Sequence, residues 1–358
     1  YEQTWTEGRK DWFEWLPDPY TSAFESFFTF EIPQHRAGEP FNEKGLTFSF
    51  YKANLLRKYG PDWQVRWIAN SFARLKSWGF NTLGINTSVI IQRQSPIPFT
   101  ASFSIEGVPP IAASQGYWGK MMDVYDPSFK EKTEACVAVG VAPYASNPFC
   151  IGYFVDNELP WEGVALGTLR SPVDQPARKS LIALLKTRHP TVEDINKAGG
   201  VKCDSWDTLD VAEPCNDAAR VDLEDFLYLF ADRYFTTVRD ALNRFAPNQL
   251  YLGCRFTEPP EPVLLACSES ADVISGNFYY ERIPIDRWNG VDKLIKPFLV
   301  GEFHFGALDH GMFHAGLMAV TSQQERADKY VEYWKSVADH PGFIGAHWFQ
   351  YQIGRAHV

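Results

Sequence analysis

Apolar positions along this chain fall into two rhythms. Short, continuous apolar runs alternate with stretches whose apolar residues recur every three or four positions. That alternation predicts βαβ units and a parallel sheet. The first helix is expected over 62–78, with Val65, Ile68, Phe72 and Leu75 on one face and Gly79 as its stop. Strands are expected at 80–86, 97–105, 150–155, 249–256, 272–280, 297–303 and 342–350. Between the later runs, 219–244 carries Leu223, Leu227, Phe230, Tyr234 and Val238 on a single stripe. The segment 323–339 does the same with Ala327, Val331, Trp334 and Ala338. Unbroken apolar strands suit a sheet covered on both faces.

The predicted fold is therefore α/β, a TIM (β/α)8 barrel with about seven of its strands present. Residues 1–60 are aromatic-rich without a strong strand pattern, so the remaining strand is expected upstream of Tyr1. The segment 159–218 exceeds an ordinary βα connection. It carries helical stretches near 174–188 and 191–198, then a loop rich in Gly, Cys and Asp. Long βα loops build the rim of a barrel's active site. One domain, truncated at both ends, is expected over 1–351. Residues 352–358 do not continue the pattern, and Ile353–Val358 resembles a reading frame of a common sequencing adapter; this tail is expected to be non-native.

Composition narrows the function. The chain has 358 residues, 45% apolar and 22% charged, with a net charge of −10. No Lys/Arg stripe is present, so nucleic acid is an unsuitable partner, because phosphate contacts need clustered cations. An acidic polymer would be repelled, and a neutral substrate fits. Aromatics reach 15%, with 12 Trp. Sugar rings stack on such flat apolar faces, although about half of these Trp are expected in ordinary core packing. No apolar run is long enough for a membrane span, and no signal peptide is visible in this sequence. The six cysteines form no C-x-x-C pair, against zinc-ribbon and thioredoxin-like readings. Cys203 and Cys215 either bridge in an oxidising compartment or remain free thiols.

Two carboxylates share a setting. Glu158 ends the run Ile-Gly-Tyr-Phe-Val-Asp-Asn-Glu, and Glu302 follows Pro-Phe-Leu-Val-Gly. Each stands at the C-terminal end of a buried strand, where barrel enzymes gather their chemistry. On the fourth and seventh strands of a barrel, they would face each other across its mouth. Glycosidic cleavage needs this pair: one acid protonates the leaving oxygen while a second carboxylate attacks the anomeric carbon. The plain alternative is two ordinary strand-end acids, weakened by their matched positions.

Asn157 can bond a sugar hydroxyl beside the reacting carbon. Tyr279 can donate its phenol to Glu302. Arg255 either lowers the pKa of Glu302 by its charge or forms an ion pair with Asp156 or Glu258. Asn277, His304, Trp348 and Gln350 are further candidates to line a sugar site, with His347 beside them. Trp118, Trp161 and Tyr125 fall on connecting segments as candidate stacking platforms. No G-x-S-x-G, Walker, G-x-G-x-x-G or H-E-x-x-H motif occurs. His310 and His314 have helical metal spacing, but only Asp309 is a nearby carboxylate, so no metal and no cofactor is expected. Asn86-Thr87-Ser88 is a glycosylation sequon by pattern alone.

The Asn-Glu pair after the fourth strand and the Glu after the seventh resemble clan A glycoside hydrolases. The stretches 48–60 (Phe-Ser-Phe-Tyr-Lys-Ala-Asn-Leu-Leu-Arg-Lys-Tyr-Gly), 78–84 (Trp-Gly-Phe-Asn-Thr-Leu-Gly), 152–158 and 301–306 (Gly-Glu-Phe-His-Phe-Gly) resemble family 50, the β-agarases. The similarity runs from Tyr1 to about Tyr351. It implies cleavage of β-1,4 bonds in agarose or its oligosaccharides, with retention and without a cofactor. It implies Glu158 as acid/base and Glu302 as nucleophile, in a secreted or periplasmic enzyme acting on a neutral galactan. The readings that compete are a clan A β-galactosidase-type enzyme of other specificity and a barrel that binds glycan without cleaving it.

Overall fold

The computed structural model describes residues 3–31, 44–211, 213–285, 295–310 and 315–349. The chain divides into two compact units. One is drawn from 1–81 and 306–326, the other from 82–305 and 327–349.

The first unit holds secondary structure where the aromatic-rich N-terminal stretch showed no strand pattern. β1 (Thr4–Trp5), β2 (Phe28–Glu31) and β3 (Gly45–Phe48) form an antiparallel sheet in the order β1-β3-β2. Phe48 is fully buried and packs with Phe27, Ala53, Leu55 and Trp63. The helix α1 (Phe50–Tyr59) starts on Ser49, whose hydroxyl accepts from the Lys52 N–H, and ends at Gly60 with φ 74°. The next helix, α2 (Trp63–Ser77), matches its predicted span; of the predicted face, Ile68, Phe72 and Leu75 are half-buried and Val65 is not. Val65 is 72% exposed, while Trp63 and Ser71 are buried. The large indole of Trp63, edge-on to Phe27 at 5.9 Å, sets the inward face.

The second unit is a parallel α/β arrangement. It contains α3 (Val89–Arg93), β4 (Phe99–Phe103), α4 (Phe129–Val141) and β5 (Cys150–Val155). Next come α5 (Val164–Leu169), α6 (Pro176–Arg188), α7 (Val192–Gly199) and α8 (Asp217–Phe245). β6 (Leu250–Tyr251), α9 (Glu261–Ser270), β7 (Ile274–Asn277) and β8 (Phe298–Phe303) follow, then α10 (Gln323–Ala338), which begins in the first unit, and β9 (Phe343–Trp348). β4-β5-β6 and β7-β8-β9 are two parallel ladders. Parallel bridges from Leu83 to Phe99 and from Phe256 to Gly276 extend the succession. Among the described residues, seven segments thus pair in chain order, each parallel to the next. The expected strand at 80–86 is reduced to its bridge at Leu83.

The α8 stripe is as the spacing predicts. Leu223, Leu227, Phe230, Tyr234 and Val238 are all buried, each contributing roughly 1.5–3 kcal/mol. The α10 stripe is not. Val331 is 49% exposed, and the buried residues are Tyr333 and Val337. Tyr333 lies flat on Phe303 at 4.2 Å and donates its hydroxyl to the Phe278 carbonyl. A tyrosine with a satisfied hydroxyl displaces the smaller aliphatic residues from the inward face. All six cysteines, Cys203 and Cys215 included, are free thiols. Among the described residues, no helix is long and apolar enough to cross a membrane.

Candidate active site

The ends of β5, β7 and β8 and the segment after β6 bring the candidate residues together. β5 runs out through Val155 into Asp156-Asn157-Glu158. This exit is a tight turn with left-handed backbone, φ 62° at Asp156 and 50° at Glu158. Arg255 shares that conformation at φ 57°. Each such non-glycine residue stores about 1–3 kcal/mol of strain, held only where surrounding contacts fix it. The Glu158 N–H donates to the Arg255 carbonyl at 3.3 Å, joining the two strained points.

β8 carries an irregularity that aims Glu302. Gly276 pairs with Val300, and the next residue, Asn277, pairs with Glu302, so Gly301 is skipped. A bulge of this kind re-directs a side chain. Gly301 is also required sterically: a Cβ there would stand 2.7 Å from Asn277 Oδ1 and 3.4 Å from Arg255 Nη1. Nothing in the sequence marked this glycine beyond its place before the glutamate.

Arg255 is fully buried, its guanidinium 5.1 Å from the Phe154 ring centroid. It forms an ion pair with Glu302, whose side chain is 14% exposed, and donates Nε–H to Asn157 Oδ1 at 2.9 Å. Of the pairings open to it in the sequence, the one with Glu302 forms. Asp156 instead accepts from the Ile105 N–H and the Tyr234 hydroxyl, and Glu258 accepts from Tyr280. Tyr279 donates its hydroxyl to the other oxygen of Glu302. Burial pushes the Glu302 carboxyl above its ordinary value; the Arg255 charge and the Tyr279 hydroxyl pull it back, and the Glu158 charge pushes it up again. Burial lowers the Arg255 guanidinium, and the Glu302 charge opposes that shift.

Glu158 is held by neutral donors. Asn277 Nδ2 donates to one carboxyl oxygen at 2.8 Å and to Asn157 Oδ1 at 3.2 Å. The Trp118 indole N–H donates to the other oxygen at 2.6 Å. Trp118 is 45% exposed, with Tyr117 edge-on to it at 4.6 Å, so a partly exposed indole stands beside the carboxyl.

The other candidates divide. His304 packs edge-on to Tyr279 at 5.0 Å, behind the Glu302 clasp. Trp348 packs edge-on to Phe303 and Tyr330 at 5.2 and 5.3 Å. His347 stands over Phe154, and burial, then the Arg255 charge, lowers its imidazole to about 4. Trp161 corrects the sequence reading: it is 3% exposed, stacked on Phe235 at 5.5 Å and edge-on to Tyr234. It is a core side chain with no face open to a sugar, because α8 covers it. Tyr125 likewise stacks on Phe226 under the Arg233 guanidinium and is no open platform. Gln350 and His314 lie outside the described residues.

No family model matches the chain. Two curated relatives do, both from Vibrio sp. (strain JT0107). β-Agarase B is 33% identical over 369 residues, covering 97% of this chain and 38% of that protein. β-Agarase A is 34% identical over 365 residues, covering 91% of this chain and 36% of that protein. The solved structure of an exo-β-agarase superposes with a TM-score of 0.87 at 36% identity, over 94% of this chain and 48% of that one. The chain thus spans under half the length of each of these three proteins. By these likenesses it belongs to glycoside hydrolase family 50, the β-agarases.

Proposed function

We propose that this chain carries the catalytic (β/α)8 barrel of a retaining β-agarase, which hydrolyses β-1,4-galactosidic bonds of agarose or its oligosaccharides. The seven parallel segments in chain order support the barrel. One observation carries the chemistry: a continuous chain of hydrogen bonds, Glu302–Arg255–Asn157–Asn277–Glu158, ties two carboxylates of opposite surroundings into one site.

Glu302 is the nucleophile in this reading. A buried cation and a phenol bonded to its oxygens favour the ionised form and fix its direction of attack. Glu158 is the acid/base: no cation bonds its oxygens among the described residues, and a carboxyl held by neutral donors can cycle its proton. It gives that proton to the departing glycosidic oxygen as Glu302 bonds the anomeric carbon. It then takes a proton from the water that releases the glycosyl intermediate. Such proton transfer contributes roughly 10²–10⁴ in rate. The partly exposed indole of Trp118 is the candidate stacking surface beside the leaving group. The chemistry needs no metal or cofactor, and a polysaccharide substrate implies action outside the cytoplasm.

The test is the anomeric configuration of the first product from agaro-oligosaccharide, read by proton NMR before mutarotation. The β anomer is expected, with hydrolysis abolished in Glu302→Gln and Glu158→Gln. An α product, or undiminished turnover in either variant, would remove the assignment.

A further inference from the structure

Asp156 has no part in the chemistry above, yet it stands two residues before Glu158 and is only 6% exposed. One carboxyl oxygen accepts from the Ile105 N–H at 2.9 Å, beyond the end of β4. The other accepts from the Tyr234 hydroxyl on α8 at 2.6 Å. Its own N–H donates to the Phe103 carbonyl at 2.9 Å. A single residue thus ties the exit of β5 to the neighbouring strand and to the helix behind it. Burial pushes its carboxyl up to about 6, with no arginine or lysine among the causes to compensate it. An uncompensated buried acid costs stability, so its retention here needs a reason.

The backbone supplies one. Asp156 and Glu158 both adopt left-handed φ values, and such a turn relaxes unless it is held from both sides. Arg255 and Asn277 hold it through Asn157 on the cleft side. Asp156 and Tyr234 hold it on the core side.

We propose that Asp156 and Tyr234 are positioning residues for Glu158: their hydrogen bond locks the turn that aims its carboxyl at the leaving-group oxygen. This rests on the reading of Glu158 as acid/base. The Tyr234 hydroxyl touches no reacting atom; it acts through Asp156 and the turn.

The experiment compares Tyr234→Phe, Asp156→Asn and Asp156→Ala in the intact protein, with Glu158→Gln as reference. Two substrates are used: an agaro-oligosaccharide with its native linkage, and the same glycan bearing a dinitrophenyl leaving group, which departs without a proton. Tyr234→Phe and Asp156→Ala are expected to lower kcat on the native linkage roughly tenfold to hundredfold, with KM little changed. The first-step burst on the activated substrate should change by less than about threefold, because no acid is needed there. Asp156→Asn retains an acceptor oxygen and should fall between. A merely structural role would reduce both substrates alike, and that result, or no loss with either substrate, overturns the proposal. Tyr234→Phe decides the matter if Asp156→Ala fails to fold. Should Glu158→Gln cleave the native linkage at the wild-type rate, the acid/base reading falls and takes the positioning role with it. Inactive Glu158→Gln beside unimpaired Tyr234→Phe and Asp156→Ala overturns the positioning role alone.

Discussion

Glu302 and Glu158 both stand at the ends of parallel strands, and their surroundings restrain them by different means. Around Glu302 the restraint is charge: a fully buried guanidinium and a phenol, each bonded to one carboxyl oxygen. Around Glu158 the partners are an amide and an indole, and the restraint lies in a strained backbone turn pinned from behind. The Arg255 charge and the Tyr279 hydroxyl oppose the upward push of burial on Glu302, whereas an amide, an indole and a strained turn fix the direction of Glu158. In the proposed mechanism that difference suits Glu302 as nucleophile and Glu158 as acid/base.

Removing the cation should have the largest effect. Arg255→Met leaves Glu302 buried beside a thioether. Breaking a buried pair in this way costs roughly 3–5 kcal/mol of stability. Loss of charge stabilisation should also lower kcat roughly hundredfold to thousandfold. Denaturant melts and steady-state rates measure both, and a variant with near-native kcat would erase the distinction between the two ends.

The Glu158 side gives the next effect, through Asp156. Its carboxyl moves from an ordinary 3.8 up to about 6 on burial. Between those values the folded protein holds a proton that the unfolded chain has lost. Stability therefore falls as pH rises from about 4 to about 6, by up to about 3 kcal/mol from this group. Asp156→Asn should flatten that part of the stability–pH curve relative to wild type. A parallel displacement of the curve, with its slope intact, would show that Asp156 does not titrate there.

How much of this was legible beforehand depended on the kind of contact. Glu158 and Glu302 stood out because each closes an unbroken apolar run, and a parallel strand writes such a run into adjacent residues. Arg255, Asn157 and Tyr279 were visible for the same reason, at the ends of neighbouring runs. Partners set by long-range packing were not. Trp161 follows the acid by three residues and looked like a loop platform; its burial depends on α8, more than fifty residues away. The α10 face was misplaced because the spacing of Ala327, Val331, Trp334 and Ala338 marks one stripe, whereas the packing encloses Tyr333 and Val337. The antiparallel sheet at the N-terminus escaped because β1 has two residues and pairs with β3 some forty positions on. A strand that short has no alternation to read.

Tyr279→Phe should weaken the clasp without abolishing it. Arg255 remains, and the lost bond is one donor to a charged group, worth about 1.5–3 kcal/mol. A fall in kcat of roughly tenfold to hundredfold is expected, with KM nearly unchanged. A rise in KM at constant kcat would instead make Tyr279 a contact to the sugar.

Trp118 offers the finest test, because it combines both kinds of partner in one side chain. Its N–H bonds Glu158, and the residue is 45% exposed beside Tyr117. Trp118→Phe keeps a flat ring and removes only the donor. At so exposed a position the bond contributes about 1 kcal/mol or less, so kcat should fall no more than about fivefold. Trp118→Ala removes the ring as well, and the lost stacking of about 0.5–1.5 kcal/mol should appear as a further rise in KM of several-fold. If the two variants instead shared one kcat and one KM, the ring would carry no substrate contact. Glu158 would then be left with a donor and no platform.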